Sequence, residues 1–467
     1  MSAKVAMWGA FALGTVMALH APAAAQEEAA PNPEDILKHF VLEGEIPVAP
    51  LPKIGVVPSL DSAIEDVTVN AVVKRDLDLS GEFELLGENQ IPDGLYLSDS
   101  PIDVAAWKQK GAEAVVKINA KLKGNKVELR GLAYLIIAGE DPVYDKKLLV
   151  DKDVVREESH RLADALIGAL TGTPGGFSSQ MTFIYGVGKQ RRVYVMDADG
   201  HDPQAWSSDD KLALTPVFGP DHELYYAASK NKGAFKIYPP DSDQPLSIKP
   251  RGSVYGLAWN RDYSEVAASI ASGPDIKLFR GPNLQSLKPA SEVPMALHPA
   301  WSSNNKLAFA GEGKWGQVIH VDGKPVTPTG LNATAPVFCR HPNGVRLVYM
   351  VWLGENADIV AMNETGGGAR RLTAGAGRNS YPACSPDGRL IAFFSTRKSG
   401  EGPGLYIMRI DGRRPKRIST LVGDSLRWDR LPKDGAPKKK QPSAKVTPRK
   451  ATGQPPTVQK VAPPTAK

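Results

Sequence analysis

The sequence predicts a mixed fold: a small N-terminal α/β domain followed by an all-β six-bladed β-propeller, closed by strands from both ends of its repeat region. Six segments repeat a register of small or apolar residues and an aromatic, at a spacing that suits one four-stranded blade each. A region of alternating helix and strand patterns precedes them and holds no copy of the repeat. The 44 Gly and 39 Pro favour many turns between short strands over long helices.

Taken in order, Lys4, the apolar run of residues 5–19 and Ala23-Ala24-Ala25 read as a secretory signal, residues 1–25, cleaved before Gln26. The run is shorter than the roughly 20 residues that span a bilayer. No later segment is apolar enough to do so, and the absence of Cys near the cleavage site argues against a lipid anchor. The mature chain is therefore expected in the periplasm, not spanning a membrane. Residues 26–53 form a Pro-rich N-terminal arm, in which Phe40, Val41 and Leu42 could add a strand to a partner's sheet.

The α/β domain is expected over residues 54–178. Residues 54–58 read as a buried strand, and residues 61–78 as a helix with Ile64, Val67 and Ala71 on one face. Ser80-Gly81-Glu82-Phe83 begins a turn and strand, and Gly124-Asn125 lies between two apolar runs as a hairpin turn. Leu162, Leu166, Ile167 and Leu170 recur at helical spacing, and Gly172 stands where a C-cap is needed.

The propeller is expected over residues 181–430. Its markers are Phe218, Trp259, Trp301, Phe338, Cys384 and Trp428, spaced 41, 42, 37, 46 and 44 residues apart. The clearest copy, Cys384-Ser385-Pro386-Asp387-Gly388, reverses the chain because Pro presets one turn dihedral, Asp bonds its own backbone and Gly tolerates positive φ. Other copies use Gly219-Pro220-Asp221, Asn304-Asn305 and Pro342-Asn343-Gly344. Third strands are marked by Phe235, Ile276 and Val318, each 17 residues after its marker, and by Ile359 and Leu405, each 21 after. Residues 182–198 lack a first strand of their own, whereas residues 426–428 have one and lack the rest. Joining them closes the ring and leaves no long exposed sheet edge. Cys339 and Cys384 could pair in an oxidising compartment, but two thiols make no framework, and the reading favours two small buried residues.

From residue 431 to 467 the chain carries a charge of +8, eight Pro and no aromatic residue, against −2 for everything before it and +6 for the whole. Such a stretch cannot bury enough apolar surface to offset its ordering entropy and reads as a disordered basic tail. With the charge confined there, no nucleic-acid partner is expected.

Residues 54–58, Ser80-Gly81-Glu82-Phe83, Gly111-Ala112-Glu113-Ala114-Val115-Val116, the helix through Ala163-Asp164-Ala165 to Gly172, and the Cys384-Ser385-Pro386-Asp387-Gly388 type of turn resemble the TolB family in order and context. The resemblance implies a monomeric scaffold between a Pal-like peptidoglycan-associated lipoprotein and a TolA-like inner-membrane protein, serving outer-membrane integrity and constriction during cell division. Departures are the lost Ser-Pro-Asp-Gly turn in several blades, Cys384 in place of Trp, and the tail. A divergent paralogue that tethers envelope polymer is the alternative.

Residue chemistry points away from an enzyme. There is no G-x-S-x-G, H-E-x-x-H, C-x-x-C, P-loop or dinucleotide fingerprint, and the histidines show no ligand spacing, so neither catalytic residues nor a metal or cofactor are expected. A propeller lyase or lactonase would instead need carboxylates converging in the channel. The candidate binding rim is the set three residues before each marker: Thr215, Gly256, His298, Ala335, Tyr381 and Ser425. His298, Tyr381 and Ser425, with neighbouring Arg378 and Asn379, are the expected contacts for the lipoprotein. Trp315 and Trp352, placed in loops between second and third strands, are further interface candidates.

Overall fold

Helix α1 (Pro33–Phe40) is the first element of the structure, a computed structural model that describes residues 29–42, 49–59, 61–94, 96, 99–240, 242–341 and 344–431. The signal, the basic tail from residue 432 and the Pro342-Asn343 turn lie outside the described residues. Asn32 accepts a hydrogen bond from the Glu34 amide at 3.1 Å, and Pro33 presets the first helical φ, so the helix starts there.

Five strands follow in the order β2-β1-β3-β4-β5: β1 (Lys53–Val56), β2 (Glu84–Leu85), β3 (Ala114–Lys123), β4 (Lys126–Leu135) and β5 (Tyr144–Asp151). β1 runs parallel to β2 and β3, and the hairpin expected at Gly124-Asn125 joins β3 to β4. Helices α2 (Ile64–Leu79) and α4 (Val155–Thr171) cover one face of the sheet through Val69, Val73, Leu77, Leu162 and Leu166. Trp107 of α3 (Val104–Gln109) covers the other, packed so closely on Gly55 that a Cβ there would lie 2.1 Å from its ring. Gly172 takes φ +82° and donates to the Gly168 carbonyl, the expected C-cap. The expected inner face of α2 is corrected: Ile64 and Val67 are exposed, and Val69, Val72, Val73 and Leu77 point inward. Asp66 and Asp76 share the buried side, where they accept hydrogen bonds, so polarity misled the face assignment.

Six sheets make the ring, and they are numbered as blades by their markers. Blades 2 to 5 are consecutive four-stranded meanders, and blade 1 has three strands. Blade 6 pairs the C-terminal strand Asp424–Trp428 with Gln180–Tyr185, Arg192–Asp197 and Gln204–Ala205, with Arg427 opposite Thr182 and Trp428 opposite Met181. The ring therefore closes as expected, and the Asp429 amide adds a bond to Gln180 O at 2.8 Å. In the blade-5 turn Gly388 sits at φ +76°, where a Cβ would lie 1.9 Å from Arg340 O.

Cys339 and Cys384 form a disulfide between the innermost strands of blades 4 and 5, with Cα atoms 5.4 Å apart, which corrects the unpaired reading. The two lie side by side because neighbouring blades bring equivalent strand ends together. The arm is corrected as well. Leu37 of α1 is fully buried in a cluster shared by blades 3 and 4, Glu34 pairs with Arg371 at 2.6 Å, and Leu42 N–H donates to Ala369 O at 2.8 Å. Phe40 and Val41 close that helix. Burying one Leu stabilises by roughly 2 kcal/mol, which favours docking on the chain's own propeller over a free strand.

Candidate protein-binding site

Five of the six innermost strands are interrupted in register at the rim residue the sequence placed there, and that of blade 2 is interrupted just before it, between Val254 and Gly256. Thr215, His298, Ala335, Tyr381 and Ser425 take φ between 42° and 55° there, a left-handed conformation uncommon outside Gly and the mark of a β-bulge. In four of the five the next residue is Pro (216, 299, 336, 382), which has no N–H to give the ladder. The bulges sit inside the first strands rather than before them, so these positions form the neck of the channel and not its mouth.

His298 and Tyr381 come from blades 3 and 5 and meet across the axis with ring centroids 6.4 Å apart. Burial, reinforced by Arg427, lowers the His298 pKa to about 4, so the imidazole is neutral. Ser425 is buried and donates to Asp424 Oδ1 at 2.9 Å. Asn379 is also buried, giving its amide to Asp358 Oδ1 at 3.1 Å and accepting from Ser395 Oγ at 2.8 Å, and so contributes no contact surface. Arg378 is exposed at the start of its strand. Trp315 lies under the Lys314 ammonium at 4.1 Å, while Trp352, expected in a loop, stands in a strand opposite Ala357, half-buried against the core of blades 4 and 5.

Beyond the neck, at the other end of the first strands, the channel opens into a funnel of about 500 Å³. Its wall carries Trp259, Tyr263, Trp301, Phe338 and Trp428. Several of these rings are fixed in place: Trp301 Nε1 donates to Ala258 O at 3.2 Å, Trp428 Nε1 to Ser179 Oγ at 2.8 Å, and Trp259 packs on Tyr225 at 4.9 Å. Between them stand Arg261, Arg340, Arg427 and Arg430. Arg430 donates to Asn260 O at 2.9 Å and lies 4.6 Å over Tyr263. Arg427, at the floor, donates to Leu426 O at 2.9 Å, and burial lowers its pKa to about 10. Sequence reading used the aromatics as register marks and overlooked the cations. The signal was present: Arg261, Arg340 and Arg430 each fall two residues after the marker of blades 2, 4 and 6.

A second polar cluster lies where the α/β domain meets blade 6. His160 Nδ1 is 2.6 Å from Asp76 Oδ2, and Arg156 donates to Asp197 at 3.0 Å and to Asp199 at 2.6 Å. Arg75 joins Asp199 at 3.3 Å. His160, Asp197 and Asp199 offer ligand atoms within 4.8 Å of one another, but two arginines already neutralise these carboxylates, so the group reads as an ion network joining the domains.

Residues 47–133 match the family model of the TolB amino-terminal domain. The chain is 32% identical over 152 residues to the Tol-Pal system protein TolB of Thiobacillus denitrificans, covering 32% of this chain and 35% of that one. With TolB of Dinoroseobacter shibae the identity is 28% over 232 residues, covering 48% and 51%. The chain thus spans about a third to a half of the length of these curated TolB relatives. The crystal structure of TolB from Acinetobacter baumannii superposes with a TM-score of 0.67 at 20% identity, covering 81% of this chain and 97% of that one, which shows the shared TolB fold. Among the described residues no helix is long and apolar enough to cross a membrane.

Proposed function

We propose that this protein is a non-catalytic periplasmic scaffold of a Tol-Pal system. It binds a Pal-like lipoprotein at the propeller funnel and also a TolA-like inner-membrane protein, and so couples the two membranes during constriction. The funnel carries this reading. Fixed aromatic rings around an open hollow are the usual anchors of protein recognition, where Trp, Tyr and Arg supply most of the binding energy. Support for the system comes from the Tol-Pal relatives. Among the described residues neutral His298 has no carboxylate to orient it, as a general base in nucleophilic catalysis would need.

The test is a pull-down from envelope extracts with the mature protein and with a Trp259→Ala/Trp301→Ala variant, read by mass spectrometry. A Pal-like lipoprotein should appear with the first and vanish with the second. Its retention by the variant, or its absence from both, would refute the assignment.

A further inference from the structure

The charge of the funnel is one-sided. Arg261, Arg340, Arg427 and Arg430 line it, whereas Asp429 is the single carboxylate among the lining residues and His222 already meets it at 2.9 Å. None of the four arginines forms an ion pair among the described residues. Burial, together with Arg340 and Arg430, holds the Arg261 guanidinium below its usual range, so the like charges bear on one another. Such crowding is unfavourable in the empty funnel and is relieved by an anion. Arginine forks match carboxylates two bonds at a time.

Three features narrow the anion. The arginines alternate with Trp259, Trp301 and Phe338, so a ligand must bring apolar groups between its charges. The hollow of about 500 Å³ ends on a polar neck, which leaves room for a few side chains and no apolar path for an acyl chain. The chain's own continuation after Leu431, at the funnel wall, carries +8 over residues 431–467, a charge of the same sign as the arginines and therefore no match for them.

We propose that the funnel takes an acidic loop of a partner protein, its carboxylates forking onto Arg261, Arg340 and Arg430 and an apolar side chain resting on Trp301 and Phe338. This rests on the protein-binding reading above and adds the chemistry of the partner surface. Arg427 receives the deepest carboxylate.

The experiment uses the full mature chain and a fluorescein-labelled peptide that alternates Glu with Leu and Trp, followed by fluorescence anisotropy. Controls are the same peptide with Lys for Glu and vesicles containing phosphatidylglycerol. The acidic peptide should bind, the Lys peptide should not, and the Arg261→Gln/Arg340→Gln/Arg430→Gln variant should bind on the order of 100-fold more weakly. Arg340 is exposed and makes no side-chain hydrogen bond among the described residues, so Arg340→Glu, which leaves the fold intact, should by itself weaken binding about tenfold. Equal binding of both peptides, unchanged affinity in Arg340→Glu, or binding of vesicles in place of the acidic peptide overturns the proposal. A Pal-like domain that still binds while the acidic peptide fails would leave the scaffold reading standing and remove only the acidic partner. Failure of both would remove the two together.

Discussion

At the junction of the two domains three carboxylates, Asp76, Asp197 and Asp199, face Arg75, Arg156 and His160, whereas in the funnel four arginines face Asp429 alone. Both regions concentrate charge in partly buried surroundings, and they differ in who supplies the counter-charge. The junction supplies its own, across two domains, so removing buried Asp199 takes counter-charge from Arg156 and Arg75 at once. The funnel gives its arginines no ion-pair partner among the described residues, so removing exposed Arg340 costs the fold little.

The largest effect should come from opening the ring. Deleting residues 424–428 removes the strand beside Gln180–Tyr185 and exposes a sheet edge in blade 6, so the cooperative thermal transition of the propeller should be lost. Truncation after Leu431 should leave it nearly unchanged. Matching melting curves for the two truncations would contradict closure by that strand.

Next comes the contrast itself. Asp199→Ala, at a side chain with 0% exposure that pairs with Arg156 and Arg75, should lower stability by about 3–5 kcal/mol in urea. Arg340→Gln in the funnel should change it by less than about 0.5 kcal/mol. Comparable losses would mean that the funnel cations are structural.

A smaller effect separates the regions by pH. Burial pushes the Asp76 carboxyl up to about 7. His160, which burial alone would lower, is held above its ordinary value by Asp76, then by Asp199 and Asp197. Both groups hold protons more tightly folded than unfolded, so their contribution is full at low pH. That of Asp76 fades between 3.8 and about 7, and that of His160 above 6.5. Asp164, raised by burial to about 6, acts in the same direction. The melting temperature should fall from about pH 5 to pH 8, and Asp76→Asn should flatten that slope. A slope unaltered by the substitution would exclude the pair as its source.

The last effect concerns the staple between blades 4 and 5. Reducing Cys339–Cys384, which closes a 45-residue separation, should cost no more than about 4 kcal/mol and leave the ring folded, as followed by circular dichroism. Unfolding on reduction would make the staple essential.

Blades were legible in the sequence because an aromatic and a turn recur wherever one steric demand recurs, and the split sixth blade was legible because its halves were each incomplete. The α2 face was not, since Asp66 and Asp76 turn inward to satisfy Ala120 N–H and His160, against the usual polarity. The junction escaped notice because Asp76, His160 and Asp199 are distant in the chain and meet only when the domains pack. The neck was recognised as a set of equivalent positions, but the bulges that bury Thr215, Ala335 and Ser425 are a property of strand register, which spacing alone does not reveal. Arg261, Arg340 and Arg430 were passed over because a cation two residues past a marker reads as an ordinary turn residue until alternate blades bring three of them around one funnel.

The claim at the centre of this account is that the funnel binds a partner that the neck and the junction do not touch. Its most direct test is calorimetric titration of a Pal-like soluble domain into the wild type and a Trp301→Ala/Arg340→Gln variant, with melting temperatures measured alongside. The variant should lose more than about 2 kcal/mol in binding. An unchanged affinity in a variant that melts like the wild type would contradict it.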